Sequence, residues 1–480
     1  MLKTYDKVYK IDIRHFYVFG IEYRQQKKGD DGMNQSNGLL FSDKDLKNMI
    51  VSLFFEQLLV MLVGLVDTFV ISYAGEAAVS GVSLVNMFNT IFIYLFTALA
   101  SGGAVIISQY IGNKDQNNSN KSSSQLLMFS TIFSLLVAMV VLVLDQKLLT
   151  LLFGSVESDV MAACLTYLRI SAYSYPALAI YNAGAALYRS MGKTQATMYI
   201  SIIANIINAV GNIIGVFVLK AGVAGVAYPS LISRLFSAVV MTYLCFNQKL
   251  DTHYVKQDIL TWDQAMLSKI LRIAIPNGIE NGIFQLVKVA LSSVVALFGT
   301  YQIAANGVAQ SIWSLAALVG AAMGPIYITV IGQCMGANDV KAADFYFKKL
   351  TKITLTFSVV WNILVFVLTP FFMKFYALSS ETKELVIILV FIHNLFNTVA
   401  FPFSGPLSNG LRAVGDVKFT MVVSIASTVL GRLVFSIIFA IYFNLGVIGI
   451  AFAMCLDWSI RAVIFYGRYR SKRWQTFKLI

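Results

Sequence analysis

Six residues of this chain return after one fixed interval. Gly75, Gln109, Gly112, Asp115, Gly222 and Gly225 recur 224 positions later as Gly299, Gln333, Gly336, Asp339, Gly446 and Gly449. The run GVAGVA from Gly222 answers GVIGIA from Gly446, and RSMGK from Arg189 answers RAVGD from Arg412 at an offset of 223. A constant offset over so many points means that the chain is one unit written twice. Paired helical units with a seam between them are a common plan for transporters, whose substrates bind at that seam.

The repeated unit belongs in a membrane. Of 480 residues, 58% are hydrophobic and only 13% charged, whereas soluble domains carry about 45–50% apolar and about 25% charged residues. Apolar stretches of about 20 residues match helices crossing a hydrocarbon core roughly 30 Å thick. Period-2 alternation is absent, which argues against a β-barrel. Twelve spans are predicted: 49–73, 81–110, 125–145, 160–187, 196–219 and 223–246, then 270–297, 305–334, 350–369, 384–410, 419–443 and 447–467. The fold class is therefore all-α integral membrane, with two pseudo-symmetric six-helix lobes around a central cavity.

Charge sets the expected orientation. With both termini in the cytosol, the inner loops collect Lys114, Lys121, Arg189, Lys193, Lys249, Lys256, Lys341, Lys348, Lys349, Arg412 and Lys418. The opposite loops hold only Lys147, Lys220, Lys374 and Lys383. This follows the positive-inside rule and makes the two repeats parallel. The expected organisation is a cytosolic extension over 1–45, a first lobe over 46–246, a linker over 247–267, a second lobe over 268–470 and a basic tail over 471–480. The extension is polar, lacks a secretory h-region and is expected to be ordered only in part. The linker, with DTHYVKQD at its middle, is the natural hinge between lobes. The net charge of +13 comes from loops and ends, so nucleic acid is not an expected partner. Cys164, Cys245, Cys334 and Cys455 lie in apolar segments at unrelated spacings and are expected as buried free thiols.

Several segments together carry a family resemblance: VDTFVISYAG from Val66, SQYIGNKD from Ser108, LYRSMGKTQ from Leu187, GVAGVAYPSLISR from Gly222, IPNGIENGIFQL from Ile275, GQCMGANDVKAA from Gly332 and GLRAVGDVKF from Gly410. In order and spacing they resemble the multidrug and toxic compound extrusion (MATE) family, over about residues 46–470. The resemblance implies twelve helices in two lobes around a V-shaped cavity, and cation-coupled export of organic, often cationic, drugs. It also implies that the aspartate of VDT, Asp67, is a principal cation-coupling carboxylate.

The residues support that role independently. Asp67 lies mid-span between LLVMLVGLV and TFVISYA. A charge at bilayer centre costs about 2.5–3.5 kcal/mol on insertion scales, and desolvation disfavours the ionised carboxylate. Binding a proton or a cation removes that penalty and can bias a two-state packing of helices; the alternative is a purely structural bond to a neighbouring helix. Ser201, Asn205, Asn208 and Asn212 follow at steps of four, three and four, which puts them on one helix face. Ser230 lies on the next helix. Relatives often place an aspartate where this chain has Asn212. One carboxylate supplies little attraction for a bare cation, so H+ is the expected coupling ion over Na+, with sodium at Asp67 the alternative. No other cofactor or metal is expected.

Candidates in the second lobe are more basic. Glu280 repeats Glu56 and has Gln285 and Lys288 further along the same helix, while Phe284 stands where many relatives carry an acid. Glu280 either attracts a cationic substrate or caps the helix end. Arg432 repeats Asn208 and is expected to pair with an acid across the lobe, with Glu280 the preferred partner. Asp457 and Arg461 are spaced for an i,i+4 pair. His393 is either a satisfied interior hydrogen-bonding group or a proton relay. Tyr173, Tyr175, Phe284, Trp313 and Tyr327 are candidate cavity aromatics. Pro325, after GAAMG, is a candidate bending point or a static kink.

The expected function is alternating-access antiport: an amphipathic organic cation leaves as protons or sodium enter through Asp67, in a bacterial inner membrane, by a monomer. The chain has no P-loop, so ATP is not its direct fuel, and no covalent chemistry is required of it; it is not an enzyme. A lipid-linked saccharide flippase of the same architecture is the alternative, since Arg432 and Lys288 would suit a diphosphate. A sensor that binds without transporting is a third class, and no signalling domain follows Arg473.

Overall fold

The computed structural model describes residues 40–154, 156–376 and 378–480. Most of the predicted N-terminal extension lies outside these residues. The first lobe contains α1 (Asp43–Ser72), α2 (Glu76–Gly112), α3 (Gln116–Phe153), α4 (Ser158–Tyr173), α5 (Tyr175–Ser190), α6 (Thr194–Ile213) and α7 (Ala224–Cys245). A short linker helix, α8 (Lys256–Leu260), follows. The second lobe contains α9 (Gln264–Val295), α10 (Thr300–Ala316), α11 (Leu318–Gly336), α12 (Val340–Phe372), α13 (Ser380–Val399), α14 (Phe401–Ser404), α15 (Pro406–Ala413), α16 (Val417–Ala426), α17 (Phe435–Ile437) and α18 (Gly446–Arg470).

Every predicted span is helical. Ten helical stretches among the described residues are long and apolar enough to cross a membrane. The two predicted spans outside that set are α4–α5 and α9. Three spans read as single helices are broken: at Ser174 between α4 and α5, at Ala317 between α10 and α11, and at Ala400 and Gly405 around α14. Proline explains two of the breaks. Pro176 sits in the first turn of α5, and Pro402 and Pro406 in the first turns of α14 and α15, where a missing N–H costs least. Pro325 does not interrupt α11; the break comes eight residues earlier, at Ala317.

The recurring residues build joints. Asp115 and Asp339 cap α3 and α12, their carboxylates accepting from the backbone N–H of Asn118 at 3.0 Å and of Ala342 at 2.8 Å. Gly225 and Gly449 let α7 and α18 touch the wide π turns that precede them (Ile214–Val218 and Ile438–Tyr442). A Cβ on Gly225 would stand 2.7 Å from the carbonyl carbon of Gly215, and one on Gly449 2.6 Å from that of Phe439.

The lobes meet along α2, which packs on α9 and α11. At the end carrying the basic loops they are clasped twice. Gln109 Nε2 donates to the carbonyl of Ala413 at 2.7 Å, and Gln333 Nε2 to that of Ser190 at 2.6 Å. Each repeat thus holds the R-x-x-G turn of the other. Gly112 and Gly336 allow this approach: a Cβ on either would lie 2.0 or 1.9 Å from the carbonyl oxygen of Gln333 or Gln109.

The linker, expected as the hinge between lobes, is bonded along its backbone to α3. The His253 N–H donates to Asn120 Oδ1 at 2.8 Å and the Val255 N–H to Ser124 Oγ at 3.0 Å. Gln125 bonds the carbonyls of Asp258 and Thr261, and accepts from the Asp263 N–H at 3.0 Å. Polar side chains on α3 pull the backbone onto it because these buried amide groups need partners. All four cysteines are buried and free.

Candidate functional site

The first-lobe site is a carboxylate held by amides. Asp67 sits on α1, which packs along α6. Asn208 Nδ2 donates to its two oxygens at 3.1 and 3.2 Å, and Asn212 Nδ2 to Oδ1 at 2.5 Å. Ser230 on α7 donates to Asn208 Oδ1 at 3.2 Å, which orients that amide towards the acid. Asn208 and Asn212 are buried and Asp67 is half-buried. Among the described residues no basic side chain lies within ion-pairing distance of Asp67. Neutral donors can hold the charged form without locking it, as a fixed ion pair would.

Two expectations for this face change. Asn205 is not joined to Asp67; its amide lies 3.5 Å from Ser201 Oγ, half-buried one turn away. The sequence reading also passed over Arg234. It lies on α7, one turn beyond Ser230, and its Nη1 donates to Ser174 Oγ at 2.7 Å, filling the break between α4 and α5. The signal was present in GVAGVAYPSLISR: an arginine inside an apolar span requires a reason.

The expected Glu280–Arg432 pair does not form. Glu280 binds Arg412, whose Nη2 lies 2.6 Å from both carboxylate oxygens. The first lobe repeats this joint, with Arg189 Nη2 at 2.6 Å from Glu56 Oε1. Thr197 completes that cluster by donating to Glu56 Oε2 at 2.9 Å. Both glutamates therefore tie the first helix of a lobe to its R-x-x-G turn. The repeat itself offered the clue, because Glu56/Glu280 and Arg189/Arg412 recur together.

Arg432 instead faces Asp457 at 3.2 Å, beneath the rings of Phe284 and Trp458, whose centroids lie 4.9 and 5.9 Å from its guanidinium carbon. Arg461 binds the same carboxylate at 2.6 Å, and Ser427 donates to it at 2.7 Å. Two guanidinium groups share one acid, with Lys288 one turn along α9 from Phe284. No hydrogen bond joins Gln285 to Glu280 among the described residues. His393 is enclosed, stacked on Trp313 at 5.0 Å and edge-on to Trp458 at 5.1 Å, its Nδ1 3.1 Å from Asn394 Oδ1. Of the aromatic candidates, Tyr175, Trp313 and Tyr327 are buried, Phe284 covers Arg432, and Tyr173 is exposed.

Among the described residues no group of three His, Cys, Asp or Glu side chains could hold a metal ion. The arrangement suits reversible neutralisation of one acid within a helical lobe, without bond-making chemistry.

Known proteins agree with this fold. The MatE family model matches residues 52–214 and 276–438, once in each repeat. The uncharacterized transporter YisQ of Bacillus subtilis is 24% identical, with 88% of this chain and 93% of the relative covered. The "Probable multidrug resistance protein NorM" of Thermotoga maritima is 22% identical over 90% of this chain and 93% of its own length. A crystal structure of MATE in complex with MaL6 superimposes with a TM-score of 0.84 at 19% identity, covering 89% of this chain and 96% of that one. The duplicated helical lobes and the family match in both halves lead to one conclusion: the chain belongs to the MatE family of multidrug efflux transporters.

Proposed function

We propose that this transporter exports amphipathic organic compounds, cationic ones among them, in exchange for an inward cation that neutralises Asp67. The observation that carries the reading is the setting of Asp67: a mid-span carboxylate gripped by the Asn208 and Asn212 amides, with no basic group in ion-pair contact among the described residues, although the Arg234 charge acts on it from a distance. Neutralising it weakens both amide bonds and removes the cost of a membrane charge, so α1 and α6 can repack. The proton is favoured over sodium because the site offers one carboxylate, and hard cations draw most of their attraction from several.

The bias of Lys and Arg towards one set of loops supports termini on the cytosolic side. The Gln109 and Gln333 clasps then close the cytosolic end, which suits a state open to the outside. We also assign the chain to a bacterial inner membrane, acting as a monomer. One charge moved through 100 mV is worth about 2.3 kcal/mol, enough to drive uphill export.

The test is gradient swapping in proteoliposomes. A fluorescent organic cation is expected to move uphill under an imposed proton gradient and to stop in Asp67→Asn that folds normally. Sodium dependence at fixed pH would replace H+ by Na+. A lipid-linked diphosphate flippase remains the second reading, because Arg432 and Arg461 share the single acid Asp457; faster movement of lipid diphosphates than of dye would select it.

A further inference from the structure

Among the described residues the two repeats cover the same helix face differently. In the first lobe the linker covers α3 through Asn120, Ser124 and Gln125. Their counterparts 224 residues later are Asp344, Lys348 and Lys349 on α12. Among the described residues no linker-like segment lies along them: Asp344 accepts from the Tyr469 hydroxyl at 2.6 Å and Lys349 pairs with Asp43 at the start of α1. After α18 the chain lays Trp474 against Phe347, at 5.0 Å between ring centroids, and then turns away to place Leu479 against Gly415. A cavity of about 820 Å³ is left among α12, α13, α14, α15 and α18.

This cavity has the dimensions and polarity of one leaflet. It runs along α12 from Asp344 to Leu355 and along α18 from Ser459 to Arg470. Eleven residues of helix rise about 16 Å, roughly half of the ~30 Å hydrocarbon core. The deep wall is apolar, with Leu355, Phe403, Leu407 and Val463. The rim, at the end carrying the basic loops, holds Lys348, Lys352, Arg470 and Lys472 against one acid, Asp344. Asp344 is already satisfied by Lys348 at 2.6 Å and by the Tyr469 hydroxyl at 2.6 Å. No ion pair engages Lys352, Arg470 or Lys472 among the described residues.

We infer that this groove is a binding site for an anionic glycerophospholipid of the leaflet facing the basic loops. Its phosphate meets the three unpaired cations, and an acyl chain lies on the apolar wall. The N-terminal segment of the chain is a poor occupant: residues 1–39 carry seven Lys and Arg against five Asp and Glu, so their net charge opposes docking on a cationic rim. Surface lysines attract anionic headgroups at about 1 kcal/mol each, and the apolar wall supplies the burial that a free phosphate lacks.

The test is native mass spectrometry of the full chain in detergent, offered phosphatidylglycerol and phosphatidylcholine with identical acyl chains. One phosphatidylglycerol per chain is expected to be retained in preference to phosphatidylcholine. Lys352→Gln with Lys472→Gln, both exposed and outside the packed core, should lower its retention at least about tenfold and leave phosphatidylcholine unchanged. Val463→Trp, which fills the apolar wall, should lower retention with the rim intact. Equal retention of both lipids, or unchanged retention in the double variant, overturns the site. Displacement by glycerol phosphate at equal concentration would make it a free-phosphate site and overturn the lipid assignment, as would lysine cross-links from Lys352 to residues 1–39.

Discussion

At the scale of single residues, two carboxylates of one chain have opposite fates. Glu56 is 3% exposed and locked to Arg189, whereas Asp67 is held by neutral amides. Removing one member of a buried ion pair costs about 3–5 kcal/mol, since the other is left charged and unpaired. Arg189→Ala and Arg412→Ala are each expected to lower thermal stability by about that much, measured in detergent, with similar drops because the joints are repeats. Asn212→Ala should act otherwise, leaving stability within about 1–2 kcal/mol while raising the apparent affinity for a coupling proton, because an N–H bond that favours the ionised Asp67 is lost. Asp67 and its stripe could be picked out from a charge and amides at helical spacing. The partner of Glu280 was hinted at only by the joint recurrence of Glu56/Glu280 and Arg189/Arg412, because a single helix says nothing of which neighbour faces it.

At the scale of elements, the linker shows how side-chain chemistry decides whether a loop swings. Its end is fixed by Asp263, which caps α9 and meets Lys121 at 2.5 Å. The hydrogen bond from Lys121 holds the Asp263 carboxyl below the ordinary carboxylate range. A depressed folded-state pKa contributes order that is fully present above the unfolded value of about 3.9 and is lost as pH falls through the folded one. Protection of residues 252–263 against hydrogen exchange, relative to the intrinsic rate at each pH, should therefore be flat from neutral pH down to about 4 and fall below it. Lys121→Gln should shrink the acid-dependent step, leaving the part due to the backbone bonds of α9. The long polar loop is the expected hinge between lobes; Asn120, Ser124 and Gln125 tie its backbone to α3 by accepting and donating along it.

At the scale of the whole molecule, the repeated Gln109/Gln333 and Gly112/Gly336 form the clasped end, and unrepeated residues form the sites. Asp67, Asn208 and Ser230 face Leu291, Arg432 and Met454 across the 224-residue interval, so each lobe carries a different polarity on one frame. The closed end depends on the absence of two Cβ atoms. Gly112→Ala or Gly336→Ala would drive a methyl into the opposite backbone, and overpacking of this kind costs about 1–3 kcal/mol. The cost falls only on the clasped state, so the population should shift about fivefold or more towards separation. Spin labels on the loops after α2 and α11 should report longer distances in either variant. An unchanged distance distribution would mean that the clasp does not gate.

The sequence by itself determined that this chain crosses a membrane as duplicated helices and that Asp67 interrupts an apolar run, because hydrophobic runs, helical spacing and a fixed offset are local properties that survive without coordinates. Only the tertiary structure decided which acid meets which base, that Arg234 closes the break at Ser174, and that among the described residues a groove opens beside α12 where its twin carries the linker. Those outcomes depend on the facing of helices hundreds of residues apart, and identical spacing leaves that facing open until the lobes pack.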